Sequence, residues 1–204
     1  MLFQEGQNLV FIGDSITDCG RTEDTEGIGN GYVRIVRDYL ALALPETTLQ
    51  IYNRGVSGET ILDLKTRWQE DAIGLQPDWL TVSIGINDEW KQVSLEQYRE
   101  TYRELLTETK RSTKASLILM ETTIISEDPH DGKNERLLPY NRIIAEVAAE
   151  FGAVLVRQNQ LFTQYLMSQK GKVLTYDQVH MNSTGQLLMA LNWLKACGYV
   201  VKSS

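Results

Sequence analysis

A serine hydroxyl, an imidazole and a carboxylate can together transfer an acyl group, and this 204-residue chain offers few ways to assemble the three. It has two histidines, His130 and His180, and His180 closes the run Asp177-Gln178-Val179-His180. A carboxylate three residues earlier in the same loop can reach one ring nitrogen, holding the tautomer and stabilising the imidazolium when the other nitrogen takes a proton. Ser15 lies in Phe11-Ile12-Gly13-Asp14-Ser15-Ile16-Thr17-Asp18, directly after the apolar run Leu9–Ile12. A serine is a poor nucleophile until a base accepts its proton, and neutral imidazole suits that task near pH 7. Gly-Asp-Ser is also ordinary turn chemistry, so Ser15 is singled out only by what stands elsewhere in the chain.

The oxyanion of a tetrahedral intermediate needs fixed donors, whose removal costs roughly 3–4 kcal/mol each in well-studied enzymes. Candidates are the backbone amides of Ser15 and of Gly58, in Asn53-Arg54-Gly55-Val56-Ser57-Gly58, and the side-chain amide of Asn87, in Gly85-Ile86-Asn87-Asp88. Glycine at 58 lets the backbone approach a ligand closely.

Strands must deliver these residues to one place. Apolar β-type runs occupy Leu9–Ile12, Leu49–Asn53, Trp79–Ile84, Ser116–Met120 and Ala153–Val156. Between and after them, helical spacing predicts helices from Tyr32 to a stop at Pro45, from about Thr60 to Gly74, and from Leu95 to about Ser112. Further helices are predicted from near Leu138 to Gly152 with Pro139 in the first turn, near Leu161 to Gln169, and from Ser183 to Cys197. Residues 18–31 read as a flexible, glycine-rich loop that could form a rim, and 126–134 as a polar loop. Strands alternating with helices indicate a parallel sheet covered on both faces, with one domain spanning residues 1–204. In such sheets the site lies beyond the carboxyl ends of the strands. Ser15, Gly58 and Asn87 each follow a strand, and Asp177 and His180 follow the last one.

A net charge of −7 argues against nucleic acid and anionic membrane surfaces as partners, and no run approaches the roughly 20 apolar residues of a membrane span. Met1 to Gln7 offers no basic n-region, and Cys19 and Cys197 are too few and too separated for a disulfide framework. A reduced, cytoplasmic protein with two free thiols is expected.

The four segments, in this order, resemble the sequence blocks of the SGNH (GDSL-type) hydrolases: Gly-Asp-Ser at Ser15, Asn-x-Gly-x-x-Gly at Gly58, Gly-x-Asn-Asp at Asn87 and Asp-x-x-His at Asp177 and His180. The resemblance implies a three-layer α/β/α sandwich with a five-stranded parallel sheet in the flavodoxin-like order 2-1-3-4-5. It also implies a Ser15-His180-Asp177 triad, an oxyanion hole of Ser15, Gly58 and Asn87, and catalysis without metal or cofactor. Gly-Tyr-Val at Gly31 and Ile-Gly-Ile-Asn-Asp-x-Trp ending at Trp90 resemble the intracellular branch acting on acetylated xylan and oligosaccharides. Met181 departs from the proline that many members carry after the histidine.

The expected substrate is therefore a small-molecule ester, an O-acetylated sugar, with Asp14, Arg54, Trp90 and Tyr176 as candidate binding residues. Family members include monomers and closed oligomers, so a homo-oligomer stays open. Asp14 can instead simply hold the Ser15 turn, Asp88 can brace its own loop, and Trp68, Trp79 and Trp193 read as core. A lysophospholipase or thioesterase on the same triad, a noncatalytic binding module, and a metal site on Asp14, Asp18 and Asp88 are the competing readings. His130, among Glu127, Asp128 and Asp131, reads as a solvated loop.

Overall fold

The computed structural model describes residues 3–168 and 172–199. Strands β1 (Asn8–Gly13), β2 (Gln50–Gly55), β3 (Trp79–Ser83), β4 (Ser116–Met120) and β5 (Val154–Val156) form one parallel sheet in the order 2-1-3-4-5. The register sets Gly13 opposite Gly55 on one side and Ser83 on the other, so β1, β2 and β3 end level and release their following residues at one edge.

Successive side chains of a strand point to opposite faces, and β1 uses both. Leu9 and Phe11 enter one core layer, beneath the helices α2 (Tyr32–Ala43), α7 (Gln158–Ser168) and α8 (Ser183–Ala196). Val10 and Ile12 enter the other, beneath α3 (Ile61–Asp71), α5 (Leu95–Ser112) and α6 (Leu138–Phe151). The sandwich is thus three layers, as expected. Two buried indoles tie elements together: Trp68 Nε1 of α3 donates to Thr109 Oγ1 of the neighbouring α5 at 3.0 Å, and Trp193 Nε1 of α8 donates to Thr81 Oγ1 of β3 at 3.2 Å, joining that helix layer to the sheet. Trp79, expected in the core, is only half-buried, edge-on to Phe3.

Helix ends follow their capping residues. Ser94 accepts from the Gln97 amide at the start of α5, and Lys110 and Arg111 complement the dipole at its end, giving the predicted span. Thr60 and Asp63 form a reciprocal capping box that starts α3, which ends at Asp71 and gives way to a 3₁₀ turn at Ile73–Leu75. Pro139 stands in the first turn of α6, as expected, preceded by a 3₁₀ turn at Asn134–Leu137. The helix expected to begin near Leu161 starts earlier, at Gln158. Gln158 is fully buried and polar, its Nε2 donating to the Met189 carbonyl at 3.1 Å, so the apolar pattern hides the first turn. The expected end of that helix at Gln169 lies outside the described residues.

Two short helices were not foreseen, α1 (Ser15–Asp18) and α4 (Ile86–Trp90). Each is too short to show a period, and each follows a strand and itself carries an expected site residue, Ser15 in α1 and Asn87 in α4. Among the described residues no helix is long and apolar enough to cross a membrane.

Candidate active site

Ser15 is the first residue of α1, and the geometry of that turn is set by Asp14. The Asp14 carboxylate caps the helix, accepting from the Ile16 amide at 3.0 Å, and is only 3% exposed. The turn also presses against β2: a Cβ on Gly55 would fall 2.1 Å from the Asp18 nitrogen, so only glycine permits the approach. Asn53, fully buried, ties the pieces together. Its Nδ2 donates to the carbonyls of Thr17 at 2.7 Å and Ile28 at 2.8 Å, and its Oδ1 accepts from the Gly55 amide at 2.9 Å. The asparagine that opens the second block therefore fixes the nucleophile turn from the neighbouring strand.

His180 reaches Ser15 across 165 residues of sequence, with Nε2 2.9 Å from the Ser15 hydroxyl. Its Nδ1 lies 2.7 Å from Asp177 Oδ2, while Asp177 Oδ1 accepts from the backbone amides of His180 at 2.7 Å and Val179 at 3.1 Å. One carboxylate thus shapes its own turn and orients the imidazole. Partial desolvation alone would raise the Asp177 carboxyl, but the His180 ring and these two amides outweigh it and hold the group down at about 2. Both side chains remain about half exposed, so the relay is open to substrate.

The other residues expected at the oxyanion, Gly58 and Asn87, lie in the loop after β2 and in α4. Gly58 has φ +82°, a left-handed conformation that glycine adopts without strain. Asn87 Nδ2 donates to the Glu59 carbonyl at 2.9 Å with one hydrogen, leaving its second available, and Lys91 Nζ donates to the Gly58 carbonyl at 2.7 Å. Arg67, which no motif signalled, braces the same loop: Nε donates to Glu59 Oε2 at 2.7 Å and Nη1 to the Arg54 carbonyl at 2.8 Å.

Two clefts flank the triad. One of about 310 Å³ lies against Ser15 and His180 and is lined by Ile16, Cys19, Met181, Gln186, Asn30 and Tyr176. The other, about 430 Å³, runs along Asp177 and Val179 to Trp90 and Arg136. Trp90 and Tyr176 stand on the rims, 71% and 79% exposed, positions from which an aromatic face can meet a ligand.

Two of the residues expected at the substrate go elsewhere. Asp14 is buried as the cap just described, so the turn-holding reading is the right one. Arg54 turns its guanidinium to Asp71, 3.5 Å away, and over the Tyr52 ring, and lines neither cleft. The segment 18–31 is not a flexible loop either. Asp24 accepts from the amides of Ile28 and Gly29 and pairs with Arg34 at 2.6 Å, while Ile28 is buried in the core. It does form a rim, through Asn30. Cys19 donates to the Ile16 carbonyl and accepts from Gln186, and burial pushes its thiol up to about 11, which makes it a poor nucleophile. Asp18 accepts from Ser57 at 2.7 Å and Asp88 from the Ile61 amide at 2.9 Å, so Asp14, Asp18 and Asp88 serve three separate hydrogen-bonding tasks.

Asp88 and Asp14 carry a consequence for stability. Burial pushes Asp88 up to about 7, against the pull of the Ile61 amide and with the nearby Asp14 charge adding to the rise; burial likewise raises Asp14 to about 6. A carboxyl raised on folding binds its proton more tightly in the folded state, so stability falls as pH rises from the ordinary carboxylate range through the raised value. Asp88→Asn removes one such group. Its Tm relative to the parent should therefore shift in the variant's favour as pH rises from about 4 to about 7, read by thermal melts across that window. A difference independent of pH would show that Asp88 does not titrate there.

A parallel α/β sheet with a serine, histidine and aspartate in hydrogen-bonded relay at its carboxyl edge, beside fixed amide donors, defines a serine ester hydrolase. A family model described as GDSL-like lipase/acylhydrolase matches residues 11–188. An acetylxylan esterase from Geobacillus stearothermophilus is 36% identical over 98% of this chain and 97% of its own length. The chain belongs to the GDSL-like lipase/acylhydrolase family. The crystal structure of that acetylxylan esterase superposes with a TM-score of 0.91 at 35% identity, covering 100% of both chains. LAE5, an α/β hydrolase from the metagenome of Lake Arreo, Spain, gives 0.90 at 35% identity over 97% of this chain and 98% of its own. Structures of the Geobacillus enzyme include variants described as catalytic mutants, with alanine for a serine, an aspartate and a histidine.

Proposed function

We propose that the chain is an acetylesterase that removes O-acetyl groups from sugars such as acetylated xylo-oligosaccharides. The observation that carries the chemistry is the relay from Ser15 through His180 to Asp177, with both hydrogen bonds under 3 Å. The relative named an acetylxylan esterase supports the substrate class. Ser15 Oγ attacks the ester carbonyl carbon as its proton passes to His180 Nε2, and Asp177 stabilises the imidazolium. The carbonyl oxygen takes the negative charge and is met by the amides of Ser15 and Gly58 and by Asn87 Nδ2. His180 then gives its proton to the departing sugar hydroxyl, leaving an acetyl ester on Ser15. Water repeats the sequence, releasing acetate and the free serine.

Trp90 and Tyr176 are assigned to the sugar, whose apolar face stacks on aromatic rings. A neutral glycan fits an acidic protein of net charge −7, and both cysteines are free, which suits a reduced cytoplasmic compartment. Residues 1–204 are read as one hydrolase domain, since the sheet and its two helical layers use the chain from β1 to α8.

A panel of acetylated xylo-oligosaccharides and p-nitrophenyl esters from acetyl to octanoyl tests the substrate class. Acetate release is expected from the sugars, and kcat/KM should fall at least about tenfold between acetyl and octanoyl esters, a loss of at least about 1.4 kcal/mol of transition-state binding. A preference for octanoyl esters, with no acetate released from the sugars, would favour the lipid or thioester reading instead.

A further inference from the structure

The loop that carries Asp177 and His180 has little secondary structure of its own. It is a short excursion closed by one antiparallel bridge, Thr175 to Met181, with the Tyr176 amide donating to the His180 carbonyl at 2.8 Å. Inside it Gln178 has φ +79°, a conformation that costs a non-glycine residue about 1–2 kcal/mol and persists only where surroundings enforce it. Something outside the loop must therefore hold it.

We propose that Glu127 is that positioning residue: it clamps the Asp177–His180 turn from the loop after β4. A single carboxylate oxygen, Oε1, accepts from the Leu174 amide at 2.8 Å, the Thr175 amide at 2.7 Å and the Thr175 hydroxyl at 2.6 Å. The Glu127 amide in turn donates to Gln178 Oε1 at 2.8 Å, and the Gln178 amide donates to Thr175 Oγ1 at 3.1 Å. One residue thus grips the segment entering the turn and the strained residue within it. Its own segment is anchored by Asn134, whose Oδ1 accepts from Ile125 and Ser126 and whose Nδ2 donates to the Ser126 carbonyl. The chain of contacts runs from α6's leading turn to the base of the triad. A triad displaced by an ångström loses about a hundredfold in rate, so a clamp of this kind acts on turnover more than on binding.

The proposal rests on Asp177 and His180 being the triad partners of Ser15, and the test separates the two. Titration with a fluorophosphonate counts sites competent to react, so kcat can be expressed per competent site. Glu127→Ala is expected to lower that per-site kcat roughly ten- to a hundredfold, with KM within about twofold. Glu127→Gln keeps a carbonyl oxygen for the same donors and should recover to within about threefold of the parent. A merely structural role would lower the number of competent sites and leave per-site kcat intact. Should Glu127→Ala fail to fold, Thr175→Val decides: it removes the hydroxyl shared by Glu127 and Gln178, and a three- to tenfold loss in per-site kcat is expected, on the order of 1 kcal/mol. Unchanged per-site kcat in the folded variant, with Ser15→Ala inactive, overturns the clamp alone. Activity surviving Ser15→Ala overturns the triad on which it rests.

Discussion

Replacing Ser15 with alanine is expected to lower kcat on p-nitrophenyl acetate by about 10⁴-fold or more, the loss seen when a triad nucleophile is deleted while oxyanion donors remain. The fold should not notice. The Ser15 side chain makes one hydrogen bond, to His180, whereas the turn that presents it is held by the Asp14 cap and by Asn53. A change in Tm within about 2 °C is expected, as for other substitutions away from buried structural groups. Steady-state assay and a thermal melt check both numbers. Turnover above about a thousandth of the parent, in a protein freed of contaminating esterase, would sink the nucleophile assignment.

Asp177→Asn should be almost as damaging, at about 10⁴-fold in kcat, for a reason specific to this loop. The amide oxygen of asparagine is expected to occupy the place of Oδ1, because two backbone amides demand an acceptor there. The NH₂ group then faces His180 Nδ1, where the parent has a carboxylate oxygen at 2.7 Å. Nδ1 becomes an acceptor, the ring proton moves to Nε2, and the nitrogen facing Ser15 can no longer take a proton. The backbone turn survives while the base is lost, so kcat and fluorophosphonate labelling should fall together with little change in melting at neutral pH. Below neutral pH the two proteins diverge, in the variant's favour. A carboxyl held at about 2 contributes stability that is complete above the ordinary carboxylate value and is lost as pH falls through its lowered one. A melt series from pH 6 to pH 2 should therefore show the parent losing more Tm than the variant. A variant that keeps a tenth of parental kcat would remove Asp177 from the relay.

The strands and long helices were legible because burial leaves a periodic trace. β4 and α5 lie where the apolar run and the 3.6-residue pattern place them, and Pro139 and Gly152 bracket α6 as their backbone preferences require. What the pattern could not carry were elements without a period, α1 and α4, and a buried polar turn such as Gln158. The same limit applies to two residues expected at the substrate. Asp14 and Arg54 sit next to motif residues in sequence, but Asp14 folds back as the N-cap of α1, and Arg54, within β2, points to the face opposite Asn53 and reaches Asp71.

The sequence by itself determined the chemistry. Four short blocks, following strands in a parallel α/β order, single out candidates for the nucleophile, the base, its carboxylate and the oxyanion donors, because topology brings strand ends to one edge. Only the tertiary structure decided what holds them there. Asn53 under the nucleophile turn, Arg67 behind the Gly58 loop and Glu127 under the Asp177–His180 turn act through hydrogen bonds between segments far apart in the chain. Glu127 meets Leu174 at a separation of 47 residues, and among acidic neighbours it reads as one more solvated carboxylate. A hydrogen bond to a distant backbone amide leaves no periodicity and no motif, so it becomes visible only when the chain is folded.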